Sequence, residues 1–219
     1  MDEQLGAAGD PDSRTGDEFT LATLVASRLC HDLVSPVGAI ANGLDLMREV
    51  GGGEEETELV AQSVTRATAL LRALRLAFGQ AAAEASPVAR DALVGEMSAV
   101  LTTRRVHLQA LGTEGPALEA PVARLGALML LAGRQALGLS GMIELVFSQS
   151  DTLPLRVTVE GPKAALAPRH EAWLAGDLAE TPSSREVEFA LLPCAAAAAG
   201  VRLGFGTETD RVSFYLRER

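Results

Sequence analysis

The chain has 219 residues, room for one large or two small domains, and its 47% hydrophobic content includes only 4% aromatics, so any core is built from Leu, Val and Ala. A net charge of −10, with Lys163 the single lysine and the arginines scattered among more numerous acids, excludes a nucleic-acid binder that works by neutralising phosphates. Cys30 and Cys194 stand far apart with no further ligands nearby, which excludes a disulfide framework and a zinc site.

Residues 1–16 are polar and acidic, without the basic and apolar regions of a signal peptide, and read as a disordered lead-in. The apolar run "LGALMLLAGRQALGL" is short and broken by Arg134, too little to cross a bilayer. The expectation is a cytoplasmic protein with no membrane partner. A long helix is predicted from Asp17 to Val50 and a second from about Glu55 to Ala82. Between them "GGGEEE" supplies glycines that end the first and acids that suit the positive N-terminal end of the second. Two long helices joined by a short turn pack antiparallel, so residues 17–83 read as a helical hairpin domain.

"AAAEASPVARD" marks a boundary, with Ser86 as N-cap and Pro87 at the first helical position. A second domain, 86–219, then alternates. Helices are expected near 87–101, 121–138 and 168–178, and again over "VEFALLPCAAAAAG", closed by Gly200. Strands are expected over "VHLQAL", "MIELVFSQ", "LPLRVTVEG", "VRLGFG" and "RVSFYLRE", the second and third joined as a hairpin. Helices alternating with mostly antiparallel strands make a two-layer α/β sandwich.

The first helix carries the chemistry. On a wheel of about 100° per residue, Leu21, Val25, Leu29, Leu33, Pro36, Ile40, Leu44 and Met47 form one apolar stripe. His31 points almost directly away from it, with Ser27, Ser35, Gly38 and Asn42 on its own face. A lone helical histidine is ordinarily core or bland surface. Core does not fit this geometry, and a bland surface would favour good helix formers over Ser35, Pro36 and Gly38. A proline inside a helix costs about 3 kcal/mol, and such rule-breaking marks function more often than accident. Cys30, His31 and Asp32 are consecutive and splay around the helix, so they do not make a metal site. A Ser–His–Asp hydrolase needs a sheltered pocket that an exposed helix face lacks. Nucleophilic attack on phosphorus by a neutral imidazole fits better, with Asp32 holding the other ring nitrogen.

His31-Asp32-Leu33 followed by Ser35-Pro36-Val37 resembles the H-box of the dimerisation and histidine-phosphotransfer domain of sensor kinases. With "GAIANGL" after it and "RLAFG" at the end of the second helix, residues 20–80 resemble more closely the ChpT-type histidine phosphotransferases of alphaproteobacterial phosphorelays. The resemblance implies a homodimer in which two hairpins form a four-helix bundle. It implies His31 as phosphoacceptor and Asp32 as its assisting neighbour, with Arg28, Ser35 and Asn42 on the face where a receiver domain docks. The second-helix stripe of Val60, Val64, Ala67, Leu71, Leu74 and Phe78 supports the bundle independently, while Arg75 reads as a solvated charge.

The same resemblance implies a Bergerat-type ATPase fold for the second domain. "LGALMLLAGRQALG" has no asparagine for Mg²⁺, a DxGxG stretch is absent, and the G-x-G of "LGFGTETD" lies between two late strands. A degenerate domain is therefore expected, needing no cofactor of its own, with Mg²⁺ supplied by the partner receiver. Its partners would be the receiver domains of a hybrid histidine kinase and of response regulators, between whose aspartates a phosphoryl group is shuttled. A silent dimeric adaptor and an ATP-using kinase are the alternatives. His107 and His170 read as structural or surface residues, Trp173 as a packing anchor, and Cys30 as a small neighbour of the site.

Overall fold

The structure is a computed structural model and describes residues 11–51, 53–79, 86–148 and 155–218. Helix α1 runs Pro11–Val50 and α2 runs Glu54–Phe78. The break between them has the expected cause. Gly51 turns at φ 89°, and the Gly53 amide donates to the Glu56 carboxylate at 2.9 Å, tying down the first turn of α2. The two helices pack side by side as a hairpin. Gly43 is buried where they cross, and a Cβ there would lie 2.5 Å from Val60 Cγ2, so only glycine permits this approach.

α1 starts at Pro11, earlier than Asp17, so residues 11–16 of the expected lead-in are helical while 1–10 lie outside the described residues. The reading that no segment could cross a bilayer also needs correcting. Thr20–Glu49 has the length, and a mean hydropathy of 1.2 in its most apolar window, for a span. One side of α1 meets α2 and α6, yet only 6% of that window is buried within the chain.

The second domain consists of α3 (Arg90–Leu101), β1 (Val106–Leu111), α4 (Ala120–Leu137), β2 (Gly141–Phe147), β3 (Leu155–Glu160), α5 (Pro168–Leu174), α6 (Val187–Ala198), β4 (Val201–Glu208) and β5 (Arg211–Glu218). The sheet order is β1-β2-β3-β5-β4; only β1–β2 is parallel, and the other pairs are antiparallel. α3 begins at Arg90, not at Pro87: Val88 instead bridges Leu118, hydrogen-bonding in both directions at 2.8 Å. α5 ends at Leu174, short of 178, because Gly176 turns the chain at φ 89°. The turn expected between the second and third strands and the end of the second helix at 80–82 lie outside the described residues.

Helices α3, α4 and α6 cover one face of the sheet. α4 is buried continuously from Leu125 to Gly133. Gly126 faces Leu155 and Gly133 faces Val159, so the missing side chains let α4 lie close on β3. Trp173 is 1% exposed and its indole N–H donates to the Glu180 carbonyl at 2.6 Å, the packing anchor the sequence suggested. The glycines of "LGFG" sit within β4, where Gly204 leaves space for the Tyr215 ring across the ladder. The hairpin rests on this layer, α2 against α3 and α4, and α1 against α6. That seating brings the middle of α1 to the start of α6.

Candidate functional site

The middle of α1 presents His31 half exposed, with Asp32 beside it and only partly exposed. His31 Nδ1 and Asp32 Oδ1 are 3.0 Å apart, and His31 Nε2 lies 2.7 Å from Nη2 of Arg185. A guanidinium has donors only, so Nε2 must accept. The proton of the neutral ring then resides on Nδ1 and is donated to Asp32. This arrangement directs the Nε2 lone pair at the Arg185 guanidinium.

Asp32 is itself held. Arg28, one turn earlier, donates from Nε to Asp32 Oδ2 at 2.6 Å and from Nη1 to the Arg185 backbone carbonyl at 2.7 Å. Its Nη2 lies 3.3 Å from Oε1 of Glu188, a fully buried acid of α6 whose Oε2 accepts from Gln135 of α4 at 2.8 Å. Oε1 has that ion pair and no directed hydrogen bond. Burial pushes the Glu188 carboxyl up to about 6, against the attraction of Arg28. A chain of alternating charge thus runs from the core of the second domain to the imidazole: Glu188, Arg28, Asp32, His31.

The segment bearing Arg185 is anchored by Glu186, which receives hydrogen bonds from Arg169 at 2.8 Å and Ser183 at 2.7 Å and pairs with His170 at 2.9 Å. Burial opposes ionisation of Glu186, but the hydrogen bonds of His170, Ser183 and Arg169 together outweigh it and hold the carboxyl down to about 2. His170 also stacks on Phe189, centroids 4.2 Å apart, which makes it a structural residue of α5 and α6.

His31, Asp32, Ser35 and Pro36 line a cleft of about 780 Å³ whose other walls are residues of α2 from Gln62 to Leu70, among them Thr65 and Arg66, and Ala99, Val100, Thr102 and Thr103 at and just past the end of α3. Pro36 has no N–H, which removes the helical donor for the Asp32 carbonyl. A Cβ on Gly38 would meet nothing within 4 Å, so this face of the helix is open. The structure therefore brings together His31, Asp32, Ser35 and Arg28. Asn42 is exposed on α1, three turns away and not among the cleft's lining residues. Arg28 is mostly covered, its guanidinium turned toward the second domain. Cys30 is exposed next to the site. Arg75 is exposed and shares a separate cleft of about 570 Å³ with Arg72 and Arg124. Sequence reasoning missed Arg185, Glu188 and Gln135. They are more than 100 residues from His31, and no local pattern announces a contact across such a separation.

Comparison with known proteins gives the family. The model of the histidine phosphotransferase C-terminal domain matches residues 90–211. Protein phosphotransferase ChpT of Brucella abortus (strain 2308) is 35% identical over 166 residues, 74% of this chain and 78% of that protein. A solved bacterial phosphotransferase superposes with a TM-score of 0.73 at 25% identity, covering 98% of both chains. With more than half its length matched by the family model and a curated relative at this identity, the chain belongs to the ChpT-type histidine phosphotransferases, which act in phosphorelay signalling.

Proposed function

We propose that His31 is the phosphoacceptor, attacking through Nε2, and that Asp32 holds the Nδ1 proton and balances the charge that develops on the ring. The observation that carries this reading is a half-exposed His31 on the lining of an open cleft, with Nδ1 fixed 3.0 Å from Asp32 and Nε2 left as the accepting nitrogen. A receiver domain docks over the cleft, contacting Ser35 and the Gly38 face, and supplies its own Mg²⁺ and phosphorylated aspartate. This chain needs no cofactor; its contribution is a correctly placed nucleophile. Phosphate passes reversibly between the receiver of a hybrid kinase and that of a response regulator, in the cytoplasm.

The site works within a homodimer. Val37 and Leu44 on α1, and Val64 and Leu71 on α2, recur seven residues apart and are 42–55% exposed on the hairpin. Their pairing with the same stripes of a second chain gives a four-helix bundle and removes this apolar surface from water. The second domain is a kinase-ATPase-like sandwich that has lost nucleotide chemistry and braces the hairpin.

The test is a transfer assay with labelled phosphate, comparing the wild-type chain with His31→Ala. Label arriving from a phospho-receiver, and absent in His31→Ala, is the expected result. Label taken directly from ATP identifies a kinase instead. Receiver binding without any label identifies an adaptor.

A further inference from the structure

Arg185 precedes α6 in the second domain, 154 residues from His31, yet its Nη2 reaches His31 Nε2 at 2.7 Å. We propose that Arg185 is a catalytic residue of phosphoryl transfer, supplied by the second domain to bind the phosphoryl oxygens at His31. The inference rests on the reading of His31 as phosphoacceptor.

Three observations carry it. The Arg185 side chain is exposed, and among the described residues no carboxylate lies within ion-pair distance of it, so its charge awaits an anion. Its backbone carbonyl is clamped by Arg28 Nη1 at 2.7 Å, and the neighbouring Glu186 is fixed by three side chains. The backbone of Arg185 is thus held, while its guanidinium has only the neutral imidazole as partner among the contacts described. Finally, Arg28 joins Asp32 and this same segment, so the group that orients the imidazole also places the arginine.

In the resting state Arg185 donates to Nε2 and selects the tautomer that bears its lone pair there. When a phosphorylated receiver docks, the guanidinium rotates off the lone pair onto the equatorial oxygens of the incoming group. Nε2 attacks phosphorus, the N–P bond forms, and the P–O bond to the receiver aspartate breaks. That aspartate leaves as carboxylate with the bonding pair. The Nδ1 proton stays in its hydrogen bond to Asp32, whose negative charge balances the phosphorylated ring. Delivery to the second receiver is the reverse. The transferring group spreads charge over its equatorial oxygens, and a planar fork of donors suits that distribution better than a single ammonium. A catalyst of this kind serves both directions, as a shuttle requires.

Single-turnover transfer from a labelled phospho-receiver tests the proposal on the full chain. Arg185→Ala is expected to slow the saturated transfer rate about 10- to 1,000-fold with receiver affinity within about twofold of wild type. Added guanidinium should restore part of that rate, and Arg185→Lys should fall between the two. Nitrogen NMR of His31 should report a shift of the Nε2 resonance in Arg185→Ala, as the donor to its lone pair is lost. A wild-type saturated rate in a folded Arg185→Ala overturns the proposal, as does a loss confined to receiver affinity. If Arg185→Ala does not fold, Arg185→Lys decides by the same rate and affinity measurements. Failure of wild-type His31 to take label at all would instead strike the underlying reading.

Discussion

Arg28 of α1 and the fully buried Glu188 of α6 meet 3.3 Å apart, joining the hairpin to the second domain. The same guanidinium spans Asp32 on its own helix and the carbonyl of Arg185. One side chain therefore sets both the orientation of the site carboxylate and the seat of the second domain against it. An acid buried this deeply is costly without a partner, and the cost ties the two domains into one site.

Arg28→Ala should destabilise the chain by about 3–5 kcal/mol, because it leaves Glu188 buried without its countercharge. Adding Glu188→Gln should recover a large part of that loss. Urea unfolding of the two single variants and the double variant measures it. Equal, additive losses would show that the pair is not energetically coupled.

The pH dependence of stability follows from the two acids of this region. Glu188 is raised from 4.5 to about 6 chiefly by burial, so the folded state binds the extra proton. Its contribution is fully present below 4.5 and is lost as pH rises through about 6, on the order of 2 kcal/mol. Glu186 has the opposite sign. Its carboxyl, held near 2, contributes stability above 4.5 that disappears as pH falls toward 2. Urea midpoints from pH 3 to 8 should flatten between 4.5 and 6 in Glu188→Gln; an unchanged profile there would count against a buried, proton-binding Glu188.

Gly43→Ala inverts the usual helix preference. Alanine gains roughly 1 kcal/mol of helix propensity over glycine, yet its Cβ would meet Val60 Cγ2 at 2.5 Å. The expected result is a net loss of about 1–2 kcal/mol, relieved when Val60→Ala is added. Thermal melts of the single and double variants decide it, and a stabilised Gly43→Ala would mean that the helices part without penalty.

Leu71→Glu places a charge in the exposed stripe shared with Val64. Light scattering should find the wild type dimeric and this variant monomeric, with helical content retained. A variant that remains dimeric would move the interface elsewhere on the chain.

Much of this protein was legible in one dimension because periodicity acts locally. The stripe from Leu21 to Met47 placed His31 on the outer side of α1, and "GGGEEE" placed the turn, since helix faces and caps depend on residues a few positions apart. Strand β1 falls at Val106–Leu111, as its sequence suggests. The start of α3 was misread because Ser86-Pro87 has local capping chemistry, whereas the pairing of Val88 with Leu118 is a distant contact that overrides it. The contacts of Arg28 were out of sight for the same reason: nothing nearby in sequence reveals that Glu188 and the Arg185 carbonyl lie opposite it. The sequence by itself determined that His31 and its carboxylate neighbour sit in mid-helix on a side of α1 turned away from the apolar stripe. Tertiary structure alone decided what surrounds them, because the seating of α1 on α6, joined by Arg28 and Glu188, brings a residue more than 150 positions away to the imidazole.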